Sequence, residues 1–146
     1  MKEERLCVFY ASNYHLSLIL LEYLKNKGVE KYNTLTFLEN GIDEQIKVIK
    51  ERYNEKYNDI NQEIKFNKND QYKNKKIKDN TIIILEGKIE YIKKANEYIQ
   101  KYIEKNNIKN IKIINCFNFE EQKLYMSKII KKSDKILYTT GEKIID

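Results

Sequence analysis

Short runs of apolar residues alternate along the chain with longer segments of helical periodicity. The clearest runs are 5–11, 81–87 and 111–117, and each leads directly into an amphipathic segment. Apolar strands that are continuous rather than alternating are typical of parallel sheets covered by helices on both faces. The pattern therefore predicts a Rossmann-like α/β fold, a three-layer α/β/α sandwich with five to six mostly parallel strands.

The 146 residues are expected to form one domain. The predicted elements, in chain order, are strand 5–11, helix 13–27, strand 33–39, helix 42–56, strand 81–86, helix 88–106, strand 111–117, helix 119–132 and strand 135–140. Whether the short segment 62–66 joins the sheet is left open. Residues 67–80 are strongly polar and predict an exposed loop, either a basic lid over an anionic ligand or a tolerated insertion.

Helix 13–27 is apolar around most of its circumference, whereas helix 88–106 carries a single apolar stripe. A helix that is apolar all round must be covered on more than one side. The sheet is expected to cover one side. The other is expected to meet either an adjacent helix or a second copy of the chain in a homodimer.

Composition excludes several classes of protein. No apolar run approaches the ~20 residues of a membrane-spanning helix, and the N-terminus lacks the pattern of a signal peptide, so a cytoplasmic protein is expected. The net charge is +6, but Lys and Glu interleave and only Arg5 and Arg52 supply guanidinium groups, which disfavours nucleic-acid binding. Cys7 and Cys116 lie inside apolar strands and are expected to be buried and reduced.

Ligands of parallel α/β sheets bind at the carboxyl ends of the strands. Strands 5–11 and 81–86 are expected to lie side by side at the centre, flanked by strands 33–39 and 111–117. Residues at these strand ends then become the candidate ligand-binding set, namely Ser12, Asn13, Tyr14, His15, Glu86, Gly87, Lys88, Asn115, Thr140 and Gly141.

Three of the strand-end residues are candidates for catalysis: His15, Glu39 and Glu86. Glu86 ends a run of four strongly apolar residues, a position where acids bind metals or activate water, although acids there also cap the following helix. Paired with Glu39, it could hold a hard cation such as Mg²⁺. His15, the only histidine, could act as a base or simply pack. Ser12 and Asn13 are equally well explained as helix N-caps.

Familiar catalytic motifs are missing. No G-x-x-x-x-G-K-[ST] follows a strand, and the turn 11–15 has no glycine, which excludes a P-loop and the dinucleotide-binding fingerprint. There is no G-x-S-x-G nucleophile elbow. Two cysteines and one histidine are too few for a structural zinc site made by the protein alone. No metal or cofactor is assigned from the sequence.

The run 6–10 leading into Tyr14-His15-Leu16, followed by 34–39, resembles the start of degenerate RecA-like or Rossmann-like sensory domains that lack the phosphate loop. The segments 12–15, 114–116, 134–137 and 140–142 are also similar to a group of small α/β proteins of low-GC Gram-positive bacteria. The resemblance implies the fold and brings no activity with it.

The leading functional hypothesis is a non-catalytic regulatory or sensory domain. It would bind a small anionic ligand or a protein partner at the strand ends, where helix N-termini offer backbone amides. One alternative is a small metal-dependent hydrolase or transferase that uses Glu39, Glu86 and His15. A second is a dimeric adaptor whose working surface is helix 13–27.

Overall fold

The computed structural model describes residues 3–27, 31–40, 42–57, 64–67, 72–73, 75–138 and 141–144. It confirms the α/β sandwich, with a seven-stranded sheet between two layers of helices. In chain order the elements are β1 (Glu3–Tyr10), α1 (Asn13–Lys27), β2 (Asn33–Leu38), α2 (Asp43–Arg52), α3 (Asn54–Tyr57), β3 (Ile64–Asn67), β4 (Thr81–Glu86), α4 (Ile89–Asn106), β5 (Ile111–Asn118), α5 (Phe119–Gln122), α6 (Met126–Lys131), β6 (Lys135–Tyr138) and β7 (Gly141–Ile144).

The strand order is β3-β2-β4-β5-β1-β6-β7, and every pair is parallel except β6 with β7. The expectation that the first strand lies beside strand 81–86 is therefore wrong, because β5 lies between them. Leu6 of β1 and Ile84 of β4 both pair with Ile114. The right-handed crossover rule fixes which face a connecting helix covers, but not how many strands it skips. Here α1 carries the chain past both β5 and β4.

Successive side chains of a strand point to opposite faces of the sheet, so each central strand contributes to two separate cores. Ile82 and Ile84 of β4 pack with α1 and α2, whereas Ile83 and Leu85 pack with α4 and α6. All six residues of β4 are buried. The continuous apolar run of this strand is thus explained by helices on both faces of the sheet.

Helix α1 packs against the sheet and against its neighbour α2. Seven of its residues are buried within this one chain: Leu16, Ser17, Ile19, Leu20, Leu21, Tyr23 and Leu24. The buried Ser17 hydroxyl donates to the carbonyl of Asn13, one turn earlier. An adjacent helix therefore accounts for the apolar circumference of α1, and homodimer formation through it stays a prediction.

Asparagine rather than glycine occupies several backbone positions with positive φ. Asn80, Asn107 and Asn110 have φ values of 60°, 52° and 59°, and Asn107 ends α4 in the left-handed conformation. Asparagine tolerates this region better than other side chains. A chain with only four glycines can therefore still make these turns.

Several predicted segments differ in the structure. Helix 42–56 is interrupted at Tyr53, and helix 119–132 is broken by a 3₁₀ turn at Lys123–Tyr125. Residues 64–67 do join the sheet, as β3 beside β2. The hairpin strand β7 was not predicted. Residues 28–30, 58–63, 68–71 and 139–140, parts of the predicted loops and strand ends, lie outside the described residues.

The expected exposed loop 67–80 contributes to the core. Tyr72 and Ile77 are buried beside α4. The ring of Tyr72 packs edge-on against those of Phe37, Tyr91 and Tyr98, with centroids 5.6–6.0 Å apart. Two apolar side chains in a polar stretch are enough to fix part of this connection to the sheet.

Both cysteines are free and buried, as expected. Within the described part of the chain, no helix has the length and apolar content needed to cross a membrane.

Candidate functional site

The carboxyl ends of β2 and β4 lie at one of the points where the helices that follow two neighbouring strands are on opposite faces of the sheet. Leu38 pairs with Glu86 at the last position of both strands. The helices that follow them, α2 and α4, pack on opposite faces of the sheet. Such a reversal of winding opens a crevice between neighbouring strand ends. It lies one strand away from the place predicted from the sequence.

The carboxyl group of Glu86 fills the α1 side of this crevice and is fully buried. Its Oε1 accepts the backbone N–H of Asn40 at 3.0 Å, and its Oε2 accepts the Asn40 side-chain amide and the Tyr10 hydroxyl, the latter at 3.1 Å. The Glu86 carbonyl also accepts the backbone N–H of Glu39 at 2.8 Å. Glu86 therefore links β1, β4 and the β2–α2 turn.

Burial raises the pKa of the Glu86 carboxyl, and the hydrogen bonds from Asn40 and Tyr10 oppose that rise. The pKa of Tyr10 is also raised, by its burial and by the neighbouring carboxylate, so its hydroxyl stays protonated and donates. Burial raises the pKa of Cys116, which lies beside Glu86 on β5, and the Glu86 charge adds to the rise. This thiol is therefore not a ready nucleophile.

The second acid of the crevice, Glu39, caps α4. Its Oε1 accepts the backbone N–H of Lys88 at 2.7 Å. Gly87 directly precedes Lys88. Its φ is +153°, and a Cβ added to it would lie 2.6 Å from Glu39 Cβ. Only glycine fits this approach. One of the backbone amides at the start of α4 is thus occupied by the chain's own carboxylate.

The turn after β1 is held by local hydrogen bonds. Ser12 Oγ accepts the backbone N–H of His15 at 3.1 Å and so caps α1. The backbone N–H of Ala11 lies 3.4 Å from His15 Nδ1 and donates to it. The Tyr14 hydroxyl lies 3.3 Å from that of Tyr53 beyond α2. The capping explanation of Ser12 is confirmed.

The structure divides the predicted ligand set. Glu86, Gly87 and Lys88 meet the candidate catalytic residue Glu39 at one crevice, and Ser12, Asn13, Tyr14 and His15 form a separate turn. Asn115 pairs with Leu85 and therefore faces α4, where it is hydrogen-bonded to Asn96 at 2.8 Å. Gly141 begins the edge strand β7. Thr140 lies outside the described residues.

No family model, no curated protein and no solved structure matches this chain. Function must therefore be inferred from the geometry of its own residues.

No group of three or more metal-ligating side chains (His, Cys, Asp, Glu) occurs within the described residues. The candidate pair Glu39 and Glu86 lies at one crevice, but three protein donors already hold the Glu86 oxygens. A cation would have to displace them. The arrangement is that of a structural carboxylate that joins three segments of chain.

Tyr10, one of the two residues that hold the Glu86 carboxyl group, was not predicted as a site residue. Tyr10 lies two strands away from Glu86. In register it pairs with Asn118 of β5, and its hydroxyl reaches Glu86 diagonally past Cys116, the β5 residue that pairs with Glu86. A small residue between two large ones on the same face is the one sequence signal for this contact. This signal can be interpreted only when the strand order is known.

The segment 119–132, hereafter the post-β5 segment, presents exposed apolar side chains at the same edge of the sheet. Phe119, Leu124 and Tyr125 are 38%, 88% and 47% exposed. Tyr10 pairs with Asn118, so the segment begins beside the turn that carries Tyr14. Four of its lysines are also exposed, at positions 123, 128, 131 and 132.

The raised pKa of Glu86 predicts a pH-dependent contribution to stability. The folded chain holds the proton more tightly than the unfolded chain, whose glutamate pKa is about 4.3. The contribution is fully present below the unfolded value and is lost as pH rises through the folded value. We expect the free energy of unfolding of wild type, minus that of Glu86→Gln, to fall with rising pH in this window and then to level off.

Urea unfolding at a series of pH values between about 4 and 8 measures this difference. Glu120→Gln, at an exposed acid of α5, is the control for removing a surface charge. A difference that rises with pH in the same window would contradict the assignment, because it would mean that the site stabilises the carboxylate more than water does.

Proposed function

We propose that this chain is a non-catalytic regulatory domain that recognises a protein partner through the post-β5 segment. The observation that carries the proposal is the exposure of Phe119, Leu124 and Tyr125 within seven residues of each other. A cluster of exposed large apolar side chains is typical of an interaction surface. It lies at the carboxyl edge of the sheet, where the sequence predicted the working end of the molecule.

The occupied amides favour a protein partner over a small anion. Glu39 takes the Lys88 amide at the start of α4, and Ser12 takes the His15 amide at the start of α1. An anion at α4 would lie close to a carboxylate that is already paired with the helix end, and the two negative charges would repel each other. A protein surface needs none of these amides, because its contacts can come from exposed side chains.

The hydrogen bonds made by Glu86 and His15 disfavour a metal-dependent enzyme. Glu86 is buried with three hydrogen-bond donors around its carboxyl group, and the Nδ1 of His15 accepts a backbone amide. A general base needs a free lone pair within reach of its substrate. A metal ligand needs the same of its oxygen atoms.

The charge around the segment indicates the chemistry of the partner. Exposed Lys123, Lys128, Lys131 and Lys132 accompany the three apolar side chains, against the acids Glu120 and Glu121. Leu124 would provide the buried anchor, worth about 1.5–3 kcal/mol when fully covered. The lysines would steer and orient the encounter. The fitting partner is a protein with an apolar pocket bordered by acidic residues.

The test is a charge reversal of the anchor. Leu124→Glu should weaken binding of a partner captured from the source cells by at least about thirtyfold, the loss typical of a central anchor. Ile144→Glu is the matched control, since Ile144 is 76% exposed on β7 at the far edge of the sheet. Both variants should keep the wild-type melting temperature.

Binding measured by titration decides the outcome. Loss in Leu124→Glu alone supports the proposal. Equal binding by wild type and Leu124→Glu would overturn it, as would equal loss in both variants.

A further inference from the structure

Helix α4 separates charges that the linear sequence mixes. Its exposed lysines and glutamates interleave along the chain, and this interleaving disfavours nucleic-acid binding when only the sequence is considered. Each residue advances an α-helix by about 100°, so residues seven apart lie nearly in line. The glutamates at 90, 97 and 104 therefore form one row. A second row, shifted by about 60° around the helix, consists of lysines: Lys94, Lys101 and Lys105.

A row of tyrosines lies beside the lysine row, on the side away from the glutamates. Tyr91, Tyr98 and Tyr102 pack partly against the core between α4 and the sheet, and each remains partly exposed. The tyrosine and lysine rows together occupy about 100° of the helix circumference and extend over about 21 Å from residue 91 to residue 105. The outer surface of α4 is thus aromatic and basic along most of its length.

The connection between β3 and β4 borders the tyrosine row on its other side. The Tyr98 hydroxyl donates to the Lys73 carbonyl at 2.7 Å. The far end of the connection is joined to the turn after α4, where the Asn80 N–H donates to the Lys109 carbonyl at 3.1 Å. The connection therefore runs beside the second half of α4. It supplies four more exposed or half-exposed lysines: Lys73, Lys75, Lys76 and Lys78.

The three tyrosines and the seven lysines around them, hereafter the tyrosine strip, form a basic surface. None of the seven lysines is in an ion pair with any residue that the structure describes. The neighbouring acid Asp79 accepts the backbone N–H of Lys109 at 2.7 Å. The glutamate row lies beyond the lysines of α4 and would repel an anionic chain that strayed from the tyrosines. A bound polyanion would therefore follow the tyrosine row.

The chemistry of the strip favours single-stranded nucleic acid over an acidic protein or a duplex. In the described part of the chain, the large apolar side chains that are well exposed all lie outside α4 and the β3–β4 connection. A protein would thus find no apolar anchor here. A single strand offers phosphates to the lysines and base faces to the tyrosine rings. A duplex keeps its bases stacked inside and would use the lysines alone.

We infer that the tyrosine strip binds single-stranded nucleic acid, RNA or DNA, without sequence specificity. Lysines contact phosphates as point charges, whereas the bidentate reading of base edges is mainly the work of arginine. The strip lies on the β2 side of α4, because Tyr72 of the connection packs against Phe37 of β2. The post-β5 segment follows β5, on the other side of β4. The two binding proposals therefore concern different surfaces and stand or fall separately.

The experiment measures fluorescence anisotropy of labelled oligo(dT) and oligo(rU), each of about 12 nucleotides, during titration with the full chain. A duplex and an oligoglutamate peptide of similar length are the comparisons. We expect saturable binding of the single strands that weakens as salt is added. The logarithm of the affinity should fall against the logarithm of the salt concentration with a slope of about −2 to −4, which corresponds to about three to six phosphates.

Three variants assign the binding to the strip. Lys101→Glu should weaken it at least about tenfold, because it removes one phosphate contact and adds a repulsive charge. Lys93→Glu is the matched control, since Lys93 is exposed on the same helix but lies beyond the glutamate row; its effect should stay within about twofold. Tyr102→Leu keeps an apolar side chain against the core and removes a ring. It should weaken binding about fivefold without changing the salt slope.

Binding of either single strand with this pattern of losses supports the inference, and a preference for oligo(rU) would indicate recognition of the RNA 2′-hydroxyl groups. Three results would each overturn it. They are no saturable binding of either single strand at low salt, equal losses in Lys93→Glu and Lys101→Glu, and tighter binding of the duplex or of the acidic peptide than of the single strands. Both lysine variants should keep the wild-type melting temperature, since both positions are exposed.

Discussion

Leu20→Glu should unfold the chain or leave it only marginally folded. Leu20 is 1% exposed and lies in the core that α1 and α2 form with the sheet. A carboxylate there would be buried without a partner, or would be protonated at a large cost in free energy. A loss of more than about 4 kcal/mol is expected, against the ~5–15 kcal/mol of stability that a domain of this kind has in total. Urea unfolding followed by circular dichroism measures it.

The matched control is the same substitution at an exposed leucine. Leu124→Glu, at 88% exposure, should change the free energy of unfolding by no more than about 0.5 kcal/mol. The competing idea is that α1 is a dimer interface. It predicts instead that wild type is a dimer and that Leu20→Glu is a folded monomer. Light scattering of the two proteins would reveal that result and contradict the buried position of α1.

Gly87→Ala should be the most damaging single change at the β2–β4 crevice. The added Cβ would lie 2.6 Å from Glu39 Cβ and 2.7 Å from Glu39 Oε1. The nearer atom is fixed to the backbone, so it cannot swing aside, and moving it breaks the bond from Glu39 to the Lys88 amide. Strain at positive φ, overpacking and the lost cap together should cost about 3 kcal/mol or more.

Gly141→Ala separates backbone strain from the steric contact. Gly141 also has positive φ, +122°, but a Cβ there would meet nothing within 4 Å. Its replacement should therefore cost only the strain of an unfavourable backbone conformation, about 1–3 kcal/mol. Equal losses of stability in the two variants, measured by urea unfolding, would show that the contact with Glu39 adds nothing to the cost of Gly87→Ala.

Most of the fold could be predicted from apolar runs, because β1, β4 and β5 are buried on both faces and read as continuous hydrophobic segments. Strand order could not. Nothing in the sequence of residues 28–32 indicates that β2 begins beyond β5 and β4. The core role of Tyr72 was also hidden, since isolated apolar residues in a polar segment carry no periodicity.

The candidate site was predictable only in part. The end of an apolar strand identified Glu86, but its hydrogen-bond partners come from β1 and from the turn after β2. Asn115 was predicted to lie at the same strand-end site as Glu86. It pairs with Leu85 rather than Glu86, so strand alternation turns it toward α4. The pairing register of the strands, and not the type of residue, decides both the partners of Glu86 and the face on which Asn115 lies.

Exposure of Leu124 could not be foreseen either. Helical periodicity over 119–132 places apolar residues on one buried face, but the 3₁₀ turn at Lys123–Tyr125 interrupts that periodicity. Gln122 and Ile129 are buried instead. Phe119, Leu124 and Tyr125 remain exposed, and they are the residues that we propose bind the partner.

Photo-crosslinking in living cells tests most directly whether the post-β5 segment is the working surface. A photoreactive amino acid is placed at one of three exposed positions: Leu124, Lys88 beside the occupied crevice, or Ile144 on β7. If the post-β5 segment is the working surface, we expect a discrete adduct with a partner protein from position 124, and none from 88 or 144. An adduct from position 88 without one from position 124 would contradict it and return the working site to the ends of β2 and β4.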